Sequence, residues 1–259
     1  MSESKEMVII LTGASRGIGL AIAHHLLSHP ANHKLVLTSR TTSALSALQT
    51  QYGDSRVEIL AGDAADPSLP ASLISAAKSR FGRLDALIVN HGSLDPVCKI
   101  GDSSPAAWRA AFDTNVFSAV GLVQAALPLL RESKGRIVLT SSGAATGAYQ
   151  GWGAYGAGKA VLNHVALTLG VEEPDVTTVS VRPGVVDTEM QRAIREDHVQ
   201  GMSARDQEKF HGWHKEGKLV RPEQPAGVIG ELALRSEKGL SGKFLSWDDE
   251  SLKGYRTDL

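Results

Sequence analysis

Short runs of aliphatic and β-branched residues recur along this chain at 7–12, 35–39, 57–61, 86–90, 136–141 and 178–182, with a weaker run at 242–246. A strand open to water on one side alternates apolar with polar residues; a strand covered on both faces is apolar almost throughout, as parallel strands between helices must be. Between the runs lie segments of helical periodicity at 18–27, 42–51, 69–81, 105–130, 155–169 and 224–234. This alternation predicts βαβ units and an α/β fold: a doubly wound parallel sheet of seven strands with helices on both faces. The chain has 259 residues, 42% hydrophobic and 21% charged, which suits one such unit with a sizeable core. No tandem repeat or Pro/Gly/Ser linker divides it, so a single domain over 1–259 is expected. Residues 187–223 break the rhythm, being polar and carrying Phe210 and Trp213 among histidines, and read as an inserted lid.

Charge excludes several partners. Lys plus Arg number 27 against 28 Asp plus Glu, so no cationic excess exists to hold nucleic acid or anionic lipid. The first residues are polar, and no apolar run approaches the roughly 20 residues needed to cross a bilayer, so a soluble, cytoplasmic protein is expected. The single cysteine, Cys98, cannot form an internal disulfide and reads as a buried thiol. The 105–130 helix is apolar on more than one face, through Trp108, Phe112, Val116, Phe117, Val120, Val123 and Leu127. The sheet accounts for one face, and a subunit partner in a homodimer or homotetramer is expected for the other.

Directly after the first run comes Thr12-Gly13-Ala14-Ser15-Arg16-Gly17-Ile18-Gly19, opening into a helix. Glycines there let the backbone turn sharply and approach a pyrophosphate, and the helix N-terminus offers it free N–H groups and a positive dipole end. Three residues separate the first two glycines instead of the single one usual in dinucleotide folds, but strand, turn and helix are in the Rossmann-type order. At the end of the second run, where a carboxylate would accept from a ribose 2′-hydroxyl, stand Thr38, Ser39 and Arg40. With Arg16 as a second cation, this favours NADP(H) over NAD(H). Asp63, after the third run, is either an acceptor for the adenine amino group or a simple loop acid.

Tyr155 and Lys159, four apart, share one helix face. At about 4 Å and an effective dielectric near 20, an ammonium stabilises a phenolate by roughly 4 kcal/mol, equivalent to about three units off a phenol pKa of about 10. The phenol is therefore expected close to neutral pH, where it can transfer a proton either way. Ser142 lies at the end of the fifth run, at the carboxyl edge where such sheets place ligands. Asn115 lies within the long helix.

Together these residues resemble the short-chain dehydrogenases/reductases in their one-domain form. The motifs run from the glycine turn through Asn90-His91-Gly92, Asn115, Ser142, Tyr155-Gly156-Ala157-Gly158-Lys159 and Arg182-Pro183-Gly184-Val185-Val186-Asp187-Thr188. The resemblance implies Tyr155 as catalytic acid/base, Ser142 as donor to the substrate oxygen, and Lys159 on the nicotinamide ribose. It implies Asn115 holding a water in a proton relay, and a cofactor site built from Gly13, Ser15, Arg16, Gly17, Ile18, Gly19, Arg40, Asp63, Asn90, Gly92, Pro183, Gly184, Val186 and Thr188. Ser141-Ser142-Gly143-Ala144, Gly151-Trp152-Gly153, Glu172-Glu173-Pro174 and Thr188-Glu189-Met190 are similar to the fungal benzil-reductase-like and sepiapterin-reductase-like members. That similarity implies NADPH-dependent reduction of a ketone, a vicinal diketone or related carbonyl, with Trp152, Gly184, Met190, Phe210 and Trp213 as candidate substrate contacts. Asp248 or Asp249 is a candidate for the C-terminal aspartate that anchors pterin in the latter group. An alcohol dehydrogenase working oxidatively and a nucleotide-sensing binding protein are the competing readings.

Two positions depart from the family pattern. His91 stands where alanine is usual and is either a neutral spacer or a titrating group. Glycine at both 156 and 158 predicts a loose first helical turn. His211-Gly212-Trp213-His214 lacks a third metal ligand, and His24, His25 and His29 read as a solvated helix face.

Overall fold

The computed structural model describes residues 5–257; residues 1–4 and 258–259, which include parts of both termini considered above, lie outside the described residues. Seven strands, β1 (Val8–Thr12), β2 (Lys34–Ser39), β3 (Val57–Ala61), β4 (Ala86–Val89), β5 (Arg136–Thr140), β6 (Thr177–Arg182) and β7 (Phe244–Ser246), form one sheet. Their spatial order is β3-β2-β1-β4-β5-β6-β7 and every pairing is parallel. The order reverses between β1 and β4, and a crevice opens there at the strands' carboxyl ends.

The helices are α1 (Gly17–Leu27), α2 (Ser43–Tyr52), α3 (Leu69–Phe81), α4 (Pro105–Phe112), α5 (Ser118–Ser133), α6 (Gly153–Glu172), α7 (Glu189–Glu196), α8 (Ala204–Lys215) and α9 (Glu223–Arg235). Successive strand residues point to opposite faces, and two separate cores result. Ile9, Leu11, Leu35, Leu37, Ile88, Val138 and Val179 pack on Ile22 and Leu26 of α1 and on Val228, Ile229 and Leu232 of α9. Val8, Ile10, Val36, Leu87, Ile137 and Leu139 pack on α3, α5 and α6.

Several expectations require correction. The long helix is not continuous: a π-helical turn at Asp113–Phe117 separates α4 from α5 and buries Asn115 and Val116. The helical stretch Pro105–Ser133 also has the length and apolarity to cross a membrane. Its Ala119, Leu122, Val123, Ala126 and Leu130 are instead core residues against the sheet, which accounts for that apolarity. Residues 187–223 carry helices α7 and α8, and Cys98 is half-buried. The histidines of and just after α1 are not simply solvated: His25 Nε2 lies 3.1 Å from Glu231 on α9, His24 contacts the Tyr52 hydroxyl, and His29, beyond the helix end, stacks on His33. Gly156 does not loosen α6; a Cβ there would stand 2.8 Å from the Ala144 carbonyl oxygen, so the glycine permits a close approach.

His33 is 1% exposed; its Nδ1 accepts from the Met7 amide at 3.2 Å. Burial, with the nearby His29 and Arg56, lowers its pKa from 6.5 to about 4. The unfolded chain therefore takes up a proton below about pH 6.5 that the folded chain refuses until about pH 4, and stability falls as pH drops through that window. By this linkage His33 alone costs about 2 kcal/mol between pH 7 and pH 5. Thermal unfolding of His33→Asn, which keeps an acceptor for Met7, should show an acid limb shallower by that amount; identical limbs would remove His33 as its cause.

Candidate active site

One cavity of about 950 Å³ spans the crevice from the β2–α2 connection across the β1 and β4 ends to the loop after β6. Thr12 ends β1, and Gly13 and Gly17 take positive φ (65° and 52°), so the backbone reverses tightly before entering α1. Gly19 is held more closely still: a Cβ there would stand 2.0 Å from the Gly13 oxygen. Arg16 occupies the N-cap of α1 without a side-chain cap bond, and no acid lies in the first turn. The amides of this turn are therefore free to meet an anion. The donor chemistry and the space left by absent side chains fit a dinucleotide pyrophosphate.

Arg16, Ser39, Arg40, Thr41, Ser43, Asp63 and Asn90 line the cavity toward the β2–α2 connection. Neither Arg16 nor Arg40 takes part in an ion pair among the described residues. Asp63 Oδ1 accepts from the Ala65 amide in a local turn. Pro183, Gly184, Val186 and Thr188 line the opposite end, and Thr188 packs against Gly17. Thr188 also caps α7, its hydroxyl accepting from the Gln191 amide.

Ser142 stands two residues beyond β5, its Oγ accepting from the Ala144 amide at 3.1 Å. Tyr155 and Lys159 project from the first turns of α6 into the same cavity and are 7% and 3% exposed. Burial pushes the Tyr155 phenol above its ordinary value, with the hydrogen bond from Ser142 opposing the rise. This corrects the expectation of a phenol drawn toward neutrality. The Lys159 ammonium lies 5.8 Å from the ring centre and donates instead to the Thr140 carbonyl at 2.7 Å, and desolvation governs the phenol. Desolvation also lowers Lys159 itself, to about 8.

Asn115 is the one expected site residue that does not line the cavity. Its amide is engaged by both backbone groups of Ser93, accepting at 2.8 Å and donating at 2.9 Å. It nevertheless borders the site: a Cβ on Gly92 would meet Asn115 Oδ1 at 3.0 Å and Lys159 Nζ at 3.4 Å.

Trp152, Phe210 and Trp213 form an aromatic wall, and sequence reasoning missed a fourth member, Tyr149. Trp152 stacks on Phe210 at 5.5 Å, Tyr149 lies 4.6 Å from Trp152, and Tyr155 meets the Trp152 ring edge to face. Tyr149 sits three residues before Trp152 in the same loop, the one sequence signal that could have found it. Met190, a candidate substrate contact, lines the mouth, and beside it Gln191 and Ile194 line it unforeseen. At the C-terminal edge Trp247 leans over Gly184; of the two aspartates beyond it, Asp248 lines the cavity and Asp249 caps a short 3₁₀ turn.

A glycine turn at the switch point, feeding a cavity that holds a half-buried Ser142 beside a buried Tyr155 and Lys159, defines a dinucleotide-binding oxidoreductase. The profile of the short chain dehydrogenase family matches residues 7–199, and the chain belongs to that family, whose members use a nicotinamide cofactor. A benzil reductase ((S)-benzoin forming) of Saccharomyces cerevisiae is 39% identical over 255 residues, covering 95% of this chain and 97% of that protein. The crystal structure of a short chain dehydrogenase/reductase from the same yeast superposes with a TM-score of 0.94 at 38% identity, covering 97% of this chain and 100% of the other. A cytoplasmic protein with unknown function from that yeast gives a TM-score of 0.83 at 38% identity, again over 97% and 100% of the two chains.

Proposed function

We propose that this protein is an NADPH-dependent carbonyl reductase whose substrates are aryl ketones, vicinal diketones foremost. The observation that carries the reading is the convergence of Ser142, Tyr155 and Lys159 on a cavity that joins the glycine turn at one end and a four-ring aromatic wall at the other. The bound nicotinamide supplies a hydride to the carbonyl carbon. Ser142 donates a hydrogen bond to the substrate oxygen, and Tyr155 delivers the proton to that oxygen. Burial holds the phenol in its protonated, donor form at neutral pH, which suits reduction better than oxidation. Lys159 remains largely charged at neutral pH and carries the ribose hydroxyls. Asn115 orders the π-helical turn behind Lys159, where a water feeds the relay. Arg16 and Arg40 hold a 2′-phosphate, and no carboxylate stands at the end of β2 to repel it.

The chain acts as one NAD(P)-binding domain in which 187–223 serves as a lid, since Ile194, Met202 and Phe210 from this segment pack on Leu94, Trp152 and Tyr155. A homodimer or homotetramer is supported by the exposed Phe117, Leu167 and Val171 on the outer side of the α4–α6 layer. A cytoplasmic site of action rests on the likeness to the yeast cytoplasmic protein.

Coenzyme absorbance with benzil as substrate tests the reading. NADPH should support turnover with kcat/KM about tenfold or more above NADH, the worth of a charge-assisted phosphate contact, and Arg40→Ala should erase most of that preference. Tighter binding of NADH would overturn the cofactor assignment. Tight NADPH binding without turnover on any diketone, quinone or pterin would favour a nucleotide sensor.

A further inference from the structure

The ring of His91 sits at the junction of three elements. Its Nδ1 lies 2.7 Å from Thr12 Oγ1 at the end of β1, and its Nε2 lies 2.8 Å from Ser118 Oγ at the start of α5. Its backbone backs the glycine turn: a Cβ on Gly13 would stand 2.9 Å from His91 Cα.

Hydrogen-bond bookkeeping fixes the proton. Ser118 Oγ donates to the Thr114 carbonyl at 2.6 Å, so toward the imidazole it can only accept. The Thr114 carbonyl also bears on the ring, and a carbonyl never donates. Nε2 therefore carries the hydrogen, and Nδ1 accepts from the Thr12 hydroxyl. Thr12 Oγ1 in turn accepts from the Asn90 amide at 3.0 Å, and its one hydrogen has two acceptors in reach, the ring nitrogen at 2.7 Å and the Ile88 carbonyl at 3.4 Å, of which the nearer ring nitrogen takes it. A protonated ring would break this chain. Burial and the nearby Lys159 charge keep it neutral, with a pKa lowered to about 4.

On the Thr12 side the chain ends at the turn that faces the pyrophosphate. On the Ser118 side it ends at Thr114, inside the π-helical turn and next to Asn115, whose Oδ1 flanks Gly92 together with Lys159 Nζ. We propose that His91 is a positioning residue that couples the nucleotide-binding turn to the π-helical turn behind Lys159, through its Nε2–H tautomer. This goes beyond the reductase reading, because nucleotide affinity and tautomer can be measured without turnover.

Two substitutions separate the arms. Asparagine at 91 places an oxygen close to where Nδ1 stands and keeps the Thr12 bond; glutamine places an N–H close to where Nε2 stands and keeps the Ser118 bond. In His91→Asn the NADPH Kd should stay within about threefold of wild type while kcat falls about tenfold, the worth of one buried hydrogen bond. In His91→Gln the pattern should reverse, with Kd raised about tenfold and kcat at saturating NADPH within about threefold. The ¹⁵N shifts of wild-type His91, which need no variant to fold, should show a protonated Nε2 and bare Nδ1 throughout the neutral range. Both variants moving Kd and kcat together, a lowered Tm with neither constant changed, or a protonated Nδ1 would each overturn the coupling.

Discussion

Tyr155→Phe should lower turnover by about 10²–10⁴-fold, the usual worth of a positioned proton donor. The change isolates the hydroxyl, because the ring keeps its edge contact with Trp152 and its place 5.8 Å from the Lys159 ammonium. NADPH affinity should hold nearly constant, since the glycine turn and Arg40 are untouched. The pH profile of the wild-type enzyme carries the same information. With the phenol pushed up by burial, the donor form persists through neutrality, so kcat for reduction should be flat there and should show no acid limb from Tyr155. An alkaline decline should set in near pH 8, where Lys159 gives up its proton. Near wild-type turnover in Tyr155→Phe would take the phenol out of the chemistry, and a profile rising steadily with pH across neutrality would point to oxidation, for which the phenolate is the useful form.

The phenol also shows where sequence reading stops. That Tyr155 and Lys159 share a face follows from helical spacing, a local property, and it holds. Which way the pKa moves depends on what shuts the phenol from water, and part of that cover comes from Met202 and Phe210, about fifty residues later in a segment without clear periodicity. The strands were legible for the opposite reason: burial between two helical layers makes β1, β4 and β5 near-continuous apolar runs, whatever their neighbours are. The π-helical turn leaves no such mark, because it shifts the hydrogen-bond partner by one residue without altering the apolar stripe on either side. His25 and Glu231 are 206 positions apart, and their contact arises only because α1 and α9 cover the same face of the sheet. His91 was recognisable as an oddity beside a glycine, but its two partners come from β1 and α5, so its role could be read only once those elements had been brought together.

Gly19→Ala tests the cradle itself and should be the most damaging small substitution in the chain. The added Cβ would lie 2.0 Å from the Gly13 oxygen and 2.6 Å from Asn90 Nδ2, separations no packed Cβ tolerates. Neither neighbour can yield cheaply. Asn90 Nδ2 donates to that same oxygen at 3.3 Å, and Gly13, at positive φ, has the His91 backbone immediately behind it. Relief requires the turn to move as a whole, carrying the first amides of α1 away from the place where a pyrophosphate must sit. We expect a stability loss of about 1–3 kcal/mol, as for other overpacked interiors, and a loss of NADPH affinity of about 100-fold or more, from several charge-assisted hydrogen bonds removed together. Gly212→Ala, inside α8 with nothing within 4 Å of the added methyl, should go the other way, gaining about 0.5–1 kcal/mol from helix propensity. The opposite signs matter, because a general intolerance of the fold to alanine would lower both melting temperatures, whereas a requirement for bare backbone at the anion lowers one and raises the other. Undiminished NADPH binding by Gly19→Ala would mean that the nucleotide does not rest on this turn.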